Sequence, residues 1–154
     1  MEAIKLAGLE PANVFGYFEK ICSIPHGSRN TKMISDYLVS FAKEHGLRYI
    51  QDESNNVILF QEGTCGMEDH APVILQGHMD MVSEKDADSP INLETDGLDV
   101  QHDGRHVFAK GTTLGGDDGI AIAYALAILA DKSIPHPPLE VIITVDEEIG
   151  TVRW

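Results

Sequence analysis

Three short stretches of the chain carry residue pairs whose types could hold a cation: His78 and Asp80 in "LQGHMDMV", Asp117 and Asp118 in "GTTLGGDDG", and Glu147 and Glu148 in "TVDEEIG". Imidazole and carboxylate are the donors that suit zinc and its first-row neighbours. On extended backbone, residues two apart point to the same side, roughly 6–7 Å apart at Cα. Asp80 can then accept the N–H of one His78 nitrogen while the other faces a metal, which fixes the tautomer and raises ligand basicity. The plain alternative is a histidine satisfied by a local acid.

The other two pairs divide in the same way. Adjacent acids at the mouth of a helix favour its N-terminus and can simply cap it. Yet the glycines flanking Asp117 and Asp118 let the backbone fold tightly and present a carboxylate to a ligand. One carboxylate can bridge two cations, which in hydrolytic sites stand roughly 3.5–4 Å apart. Glu147 and Glu148, as chain neighbours, face different ways, so one can ligate a metal while the other reaches a metal-bound water. A solvated acidic turn is the alternative, and Asp146 reads as a surface or supporting residue.

The elements that must position these pairs follow from periodicity. Pro11 suits a helix start, and Val14, Phe15, Phe18, Ile21 and Cys22 follow at helical spacing. A second helix carries Ile34, Tyr37, Leu38, Phe41 and Ala42 on one face, with Gly46 at its stop. "LRYIQDE" and "NVILFQE" flank Ser54, Asn55 and Asn56 as a hairpin. "GTCGMEDHA" reads as a loop, and "DGLDVQHDGRHVFAKG" as a further small hairpin. "PVILQGH" and "LEVIITV" are near-continuous apolar runs, the pattern of strands buried on both faces of a sheet. Between them "IAIAYALAILA" has no Gly or Pro and reads as a buried helix. The class is α/β, a mixed sheet flanked by helices on both sides. Ligands gather at the carboxyl ends of strands in such sheets, and the three polar pairs fall there.

Composition narrows the partners. With 11 Lys and Arg against 25 Asp and Glu, the formal charge is −14, which repels phosphate backbones and argues against nucleic acid. No apolar stretch approaches the ~18–20 residues of a membrane span, and the N-terminus lacks the pattern of a signal peptide. Cys22 and Cys65 form no CxxC pair, Cys22 falling on a helix stripe as a buried thiol, so a reducing, cytoplasmic location is expected. Histidines 26, 45, 70, 102, 106 and 136 lie in loops or at element ends and read mostly as surface residues. No GxSxG, Walker or dinucleotide motif competes with the polar pairs.

"GHMDMV", "GTTLGGDDG" and "TVDEEIG", in this order and spacing, resemble the aminoacyl-histidine dipeptidases, also called peptidase D or cytosol non-specific dipeptidases, within the larger group of two-zinc peptidases. "ICSIPHGSRN" and the helix after it are similar to that family's N-terminal segment, so the likeness runs nearly the whole chain, to about Gly150. The resemblance implies a zinc-peptidase-like α/β/α catalytic domain, of which residues 1–154 are the N-terminal part, incomplete at the C-terminus and without the lid or dimerisation domain. It implies two divalent ions, Zn2+ or alternatively Co2+ or Mn2+. His78 would bind one ion with Asp80 orienting it, Asp117 would bridge both, Glu148 would bind the second, and Glu147 would be the general base. It also implies a cis peptide between Asp117 and Asp118, a small peptide substrate (Xaa-His dipeptides and others), and homodimers among full-length relatives.

Two further ligands of that family, an Asp beyond the Glu pair and a His near the far C-terminus, have no counterpart in the six residues after Glu148, and the closing "VRW" departs from the family pattern. Two functions are therefore expected as alternatives. One is metal-dependent dipeptide hydrolysis, active only with the remainder present. The other is a non-catalytic remnant, at most a metal binder or pairing partner. A deacylase of acylated amino acids is a further relative, though the form of "GTTLGGDDG" favours the dipeptidase branch.

Overall fold

The apolar spacing after Pro11 becomes the buried stripe of helix α1 (Ala12–Cys22), where Val14, Phe18, Ile21 and Cys22 are buried and Phe15 packs partly buried beside them. The computed structural model describes residues 5–150, so the closing "VRW" lies outside the described residues. Helix α2 (Lys32–Glu44) buries Ile34, Leu38, Phe41 and Ala42, and Gly46 at φ +67° turns the chain out of it. Ser35 is buried on the same helix, and its hydroxyl donates to the Asn55 carbonyl at 2.8 Å.

Strands β1 (Arg48–Gln51) and β2 (Val57–Gln61) form the expected antiparallel hairpin, with Asn55 at φ +75° in its turn. Strand β3 (Val73–His78) is followed by a second small hairpin, β4 (Val100–His102) with β5 (Val107–Ala109). Helix α3 (Gly116–Ala130) then leads to β6 (Leu139–Thr144). The main sheet has the order β1-β2-β6-β3, with β6 antiparallel to β2 and parallel to β3. The mixed sheet and the α/β class are those that the alternation of elements predicts. The expected cover of helices on both sides is not met, because the described helices lie to one side of the sheet.

Strand alternation assigns the two faces. Val57, Leu59, Val141, Ile143 and Leu75 share one face by register. Ile122 and Ala125 of α3 meet Leu75, Val141 and Ile143 there. The Gln51 side-chain amide, on the same face, donates to Ser35 of α2 at 2.8 Å. Helix α1 rests on α3, so close that a Cβ on Gly119 would come within 3.3 Å of the Phe18 ring. The opposite face carries Ile50, Ile58, Phe60, Ile74 and Ile142, and none of the three helices among the described residues packs on it. Ile74 is 58% exposed and Ile50 50% exposed.

Burial of β3 on both faces is therefore not what the structure has. Its first half is exposed because it is an edge strand with one partner and one helix-covered face. The run "LEVIITV" is central, between two strands, yet Glu140 and Ile142 on its outer face are only half-buried, so burial on both faces is not met there either. Parallel pairing of β3 with β6 matters most for function. It brings His78 opposite Thr144, and the pairing continues where the Met79 N–H donates to the Thr144 carbonyl at 2.8 Å. The ends of both strands, and with them the polar pairs, open at one end of the sheet.

Candidate metal centre

His78, the last residue of β3, is buried with both ring nitrogens engaged. Its Nδ1 lies 3.0 Å from the Asp80 carbonyl oxygen and 3.4 Å from Asp80 Oδ1. With Nδ1–H donating on that side, Nε2 is turned outward, 3.1 Å from Asp117 Oδ1 and 3.9 Å from Glu147 Oε2. Burial alone would lower the His78 pKa, but the Asp117 carboxylate, then Asp80 and Asp118, outweigh it and raise the pKa above the ordinary histidine value.

Asp80 is 1% exposed, and its two oxygens are fully used. Oδ2 accepts from the Ser28 hydroxyl at 2.7 Å and the Glu148 N–H at 3.4 Å, while Oδ1 accepts from the Glu147 N–H at 3.1 Å. The turn after β6 is thereby tied to the end of β3. Val145 enters that turn with its N–H donated to Asn56 Oδ1 at 3.0 Å, and Asp146 adopts φ +58° while its Oδ1 accepts the Arg29 N–H at 2.6 Å. Asp146 is thus a supporting residue. Glu147 and Glu148 begin a short 3-10 turn (Glu147–Ile149), Glu147 with its side chain about half exposed and Glu148 half-buried.

The Asp117–Asp118 pair departs from the capping alternative. Gly115, at φ +70°, occupies the cap position of α3, no side chain caps the helix, and helical dihedrals are lost at both aspartates. The peptide joining them is cis, as the resemblance implies. Their carboxylates diverge. Asp117 is exposed and faces His78 Nε2. Asp118 turns inward, and its Oδ2 accepts the His78 backbone N–H at 3.3 Å. It fits because position 77 is glycine: a Cβ there would stand 2.7 Å from Asp118 Oδ2. Desolvation raises the Asp118 pKa, reinforced by Asp117 and Glu147 and opposed by the His78 N–H and imidazole.

The predicted residues thus converge. Donor atoms of His78, Asp117 and Glu148 all lie within 4.8 Å of one another. Small side-chain adjustments would place each about 2.0–2.2 Å from a common cation, and imidazole with two carboxylates is a donor set zinc accepts. The residues present fit one such ion, and the exposed Asp117 carboxylate keeps an oxygen free for a neighbouring ion.

Sequence reasoning missed Ser28 as a partner of the site, named Asp118 as a candidate without its inward hydrogen bond from the His78 N–H, and misplaced two histidines. His26 and His136 are buried rather than on the surface. His26 donates Nδ1–H to the Ile24 carbonyl at 2.6 Å, and burial lowers its pKa. His136 lies 2.7 Å through Nδ1 from the Pro137 carbonyl. Gly77 was the signal that could have found the inward contact of Asp118, since a glycine before a candidate ligand marks a close approach. Among the described residues no helix is long and apolar enough to cross a membrane.

The model of peptidase family M20/M25/M40 matches residues 74–153, more than half of the chain. The Escherichia coli protein named cytosol non-specific dipeptidase is 43% identical over 146 residues, which are 95% of this chain and 30% of that protein. The crystal structure of aminoacylhistidine dipeptidase from Vibrio alginolyticus superposes with a TM-score of 0.90 at 43% identity, over 94% of this chain and 30% of that one. A tripeptidase from Staphylococcus aureus, 23% identical with a TM-score of 0.72 over 90% of this chain and 37% of its own, shares the fold. The chain spans about a third of the length of the relatives it matches.

Proposed function

Because the chain belongs to peptidase family M20/M25/M40, we propose that residues 1–154 are the N-terminal part of a metallodipeptidase catalytic domain, carrying His78, Asp117 and Glu148 as metal ligands, Glu147 as general base and Asp80 as the residue that orients His78. The observation that carries this reading is the approach of the three donor groups to within 4.8 Å at the carboxyl ends of a parallel strand pair. Two zinc ions, when bound, would polarise a peptide carbonyl and acidify a water.

The remaining chemistry belongs to the chain. Asp80 holds the Nδ1–H of His78, leaving Nε2 as the donor toward Asp117. Glu147, partly exposed and 3.9 Å from His78 Nε2, stands where it can take a proton from the attacking water and deliver it to the departing amine nitrogen. Dipeptides, Xaa-His among them, are the proposed substrates, supported by the names of the E. coli and V. alginolyticus relatives. A cytoplasmic location has the same kind of support from the name of the E. coli protein.

A second reading, a non-catalytic remnant that at most binds a metal or pairs with a partner, is favoured by the open outer face of the sheet. Calorimetric titration of the purified chain with Zn2+ tests the metal reading. Uptake is expected in the wild type and its loss in His78→Ala and Asp117→Asn; no uptake, or uptake indifferent to both changes, sinks it. Dipeptide hydrolysis by the isolated chain is expected to be far slower than by a full-length relative. Robust zinc-dependent turnover by the 154-residue chain, abolished in Glu147→Gln, would instead exclude the remnant reading and show that the chain suffices.

A further inference from the structure

Asp80 does more than face an imidazole, and the distances around it single out one hydroxyl. Its Oδ1 is shared between His78 Nδ1 at 3.4 Å and the Glu147 N–H at 3.1 Å. Among the described residues the short contact on Oδ2 is the Ser28 hydroxyl at 2.7 Å, since the Glu148 N–H stands at 3.4 Å. A buried carboxylate left without donors is costly, so this one depends on the few it has. Without Ser28, Oδ2 would keep one long hydrogen bond, and the carboxylate would be free to rotate toward better partners. Any such rotation loosens the backbone of two site residues and withdraws Oδ1 from His78 Nδ1, which then keeps the Asp80 carbonyl at 3.0 Å as its partner.

Ser28 is itself fixed in place. Its N–H donates to the Met81 carbonyl at 3.2 Å, and the Met81 N–H donates to the His26 carbonyl at 3.1 Å. Gly27 thus forms an isolated parallel bridge to Met81, just beyond the end of β3, and Ser28 begins the turn that follows. Packing beneath it is tight, because a Cβ on Gly27 would stand 2.2 Å from Ser83 Oγ. One residue on, the Arg29 N–H is donated to Asp146 at 2.6 Å. The segment therefore touches the chain that follows His78 and the turn that leads to Glu148.

We infer that Ser28 is a positioning residue of this centre: through Asp80 it sets the register between His78 and the Glu147–Glu148 turn. The metal-affinity part of this inference rests on the metallopeptidase reading above; the geometric part does not. The experiment follows Ser28→Ala and Ser28→Thr in the full chain by amide hydrogen exchange and by Co2+ titration. In Ser28→Ala the Glu147 and Glu148 amides are expected to exchange about tenfold faster, with α2 amides unchanged. Co2+ affinity is expected to fall about 10–100-fold, the range for loss of an outer partner. Ser28→Thr, which keeps the hydroxyl, is expected to restore both.

Unaltered exchange at Glu147 and Glu148 in Ser28→Ala overturns the inference, as does a uniform acceleration of all amides that threonine fails to reverse. Intact exchange effects in a wild type that takes up no Co2+ overturn the metal reading and leave the positioning role standing. If Ser28→Ala does not fold, Ser28→Cys, similar in shape and a poorer donor, carries the same readouts.

Discussion

At the scale of single residues, the site is a balance of charge around one imidazole. The folded pKa of His78 lies above its reference value of 6.5, because carboxylates outweigh burial. A raised folded pKa means that this interaction stabilises the metal-free chain fully below the unfolded value and is lost as pH rises through the folded one. Denaturant midpoints of metal-free wild type and His78→Gln should therefore converge as pH is raised from 6 to 9. A gap that widens with pH would contradict the sign. Metal binding needs the neutral ring, so Zn2+ affinity should fall as pH drops through that same raised pKa. The pairs that hold His78, Asp117 and Glu148 were legible in the sequence because each ends an apolar run or a glycine turn. The choice of Asp117 over Asp118 and of Glu148 over Glu147 as ligands came with the family resemblance. The role of Ser28 was not legible, since its partner lies 52 positions away and nothing local marks it. Asp118 was legible as a candidate but not as the acceptor of the His78 N–H, 40 positions off.

At the scale of elements, glycines decide how closely the pieces meet. Replacing Gly77 by Ala would press a Cβ to 2.7 Å from Asp118 Oδ2 and 3.7 Å from the Ala121 methyl, between β3 and the start of α3. Overpacking of this kind costs about 1–3 kcal/mol. Gly16→Ala makes the natural contrast: it lies within α1 with nothing near the new methyl, and should stabilise by about 0.5–1 kcal/mol. Urea denaturation of the two variants would show opposite shifts, and a neutral Gly77→Ala would mean that Asp118 moves aside at no cost. Element types were largely readable, since period and turn residues specify them locally. Which strand is central was not. "PVILQGH" and "LEVIITV" look alike as apolar runs, yet one borders a single strand and the other two, a difference settled by pairing across the whole chain.

At the scale of the whole molecule, the chain is one-sided. Among the described residues its core lies between one face of the sheet and helices α2 and α3, with α1 resting on α3, Leu126 and Ile143 buried and Ile74 largely exposed opposite. Leu126→Ala should cost about 2–5 kcal/mol, as cavity-forming changes do. Ile74→Thr and Ile50→Thr should each stay within about 0.5 kcal/mol and lessen self-association on dilution-dependent sizing. A large loss of stability from either outer change would show that this face is covered in solution. The α/β class followed from alternation of elements; the bare face did not, because an amphipathic strand pattern says that a side is apolar without saying what lies against it.

The parallel seam between β3 and β6 also has a consequence in time. The β1–β2 hairpin closes a short loop, whereas β6 reaches β3 only after β4, β5 and α3 have been traversed. Contacts of long sequence separation tend to form late, so the seam that brings His78 to the Glu147 turn would be completed after the hairpin. An ion gripped across it would then find no grip in the transition state and would act on unfolding alone. Stopped-flow mixing with Zn2+ should leave the refolding rate of the chain unchanged while slowing its unfolding, and an accelerated refolding would show that the seam forms early.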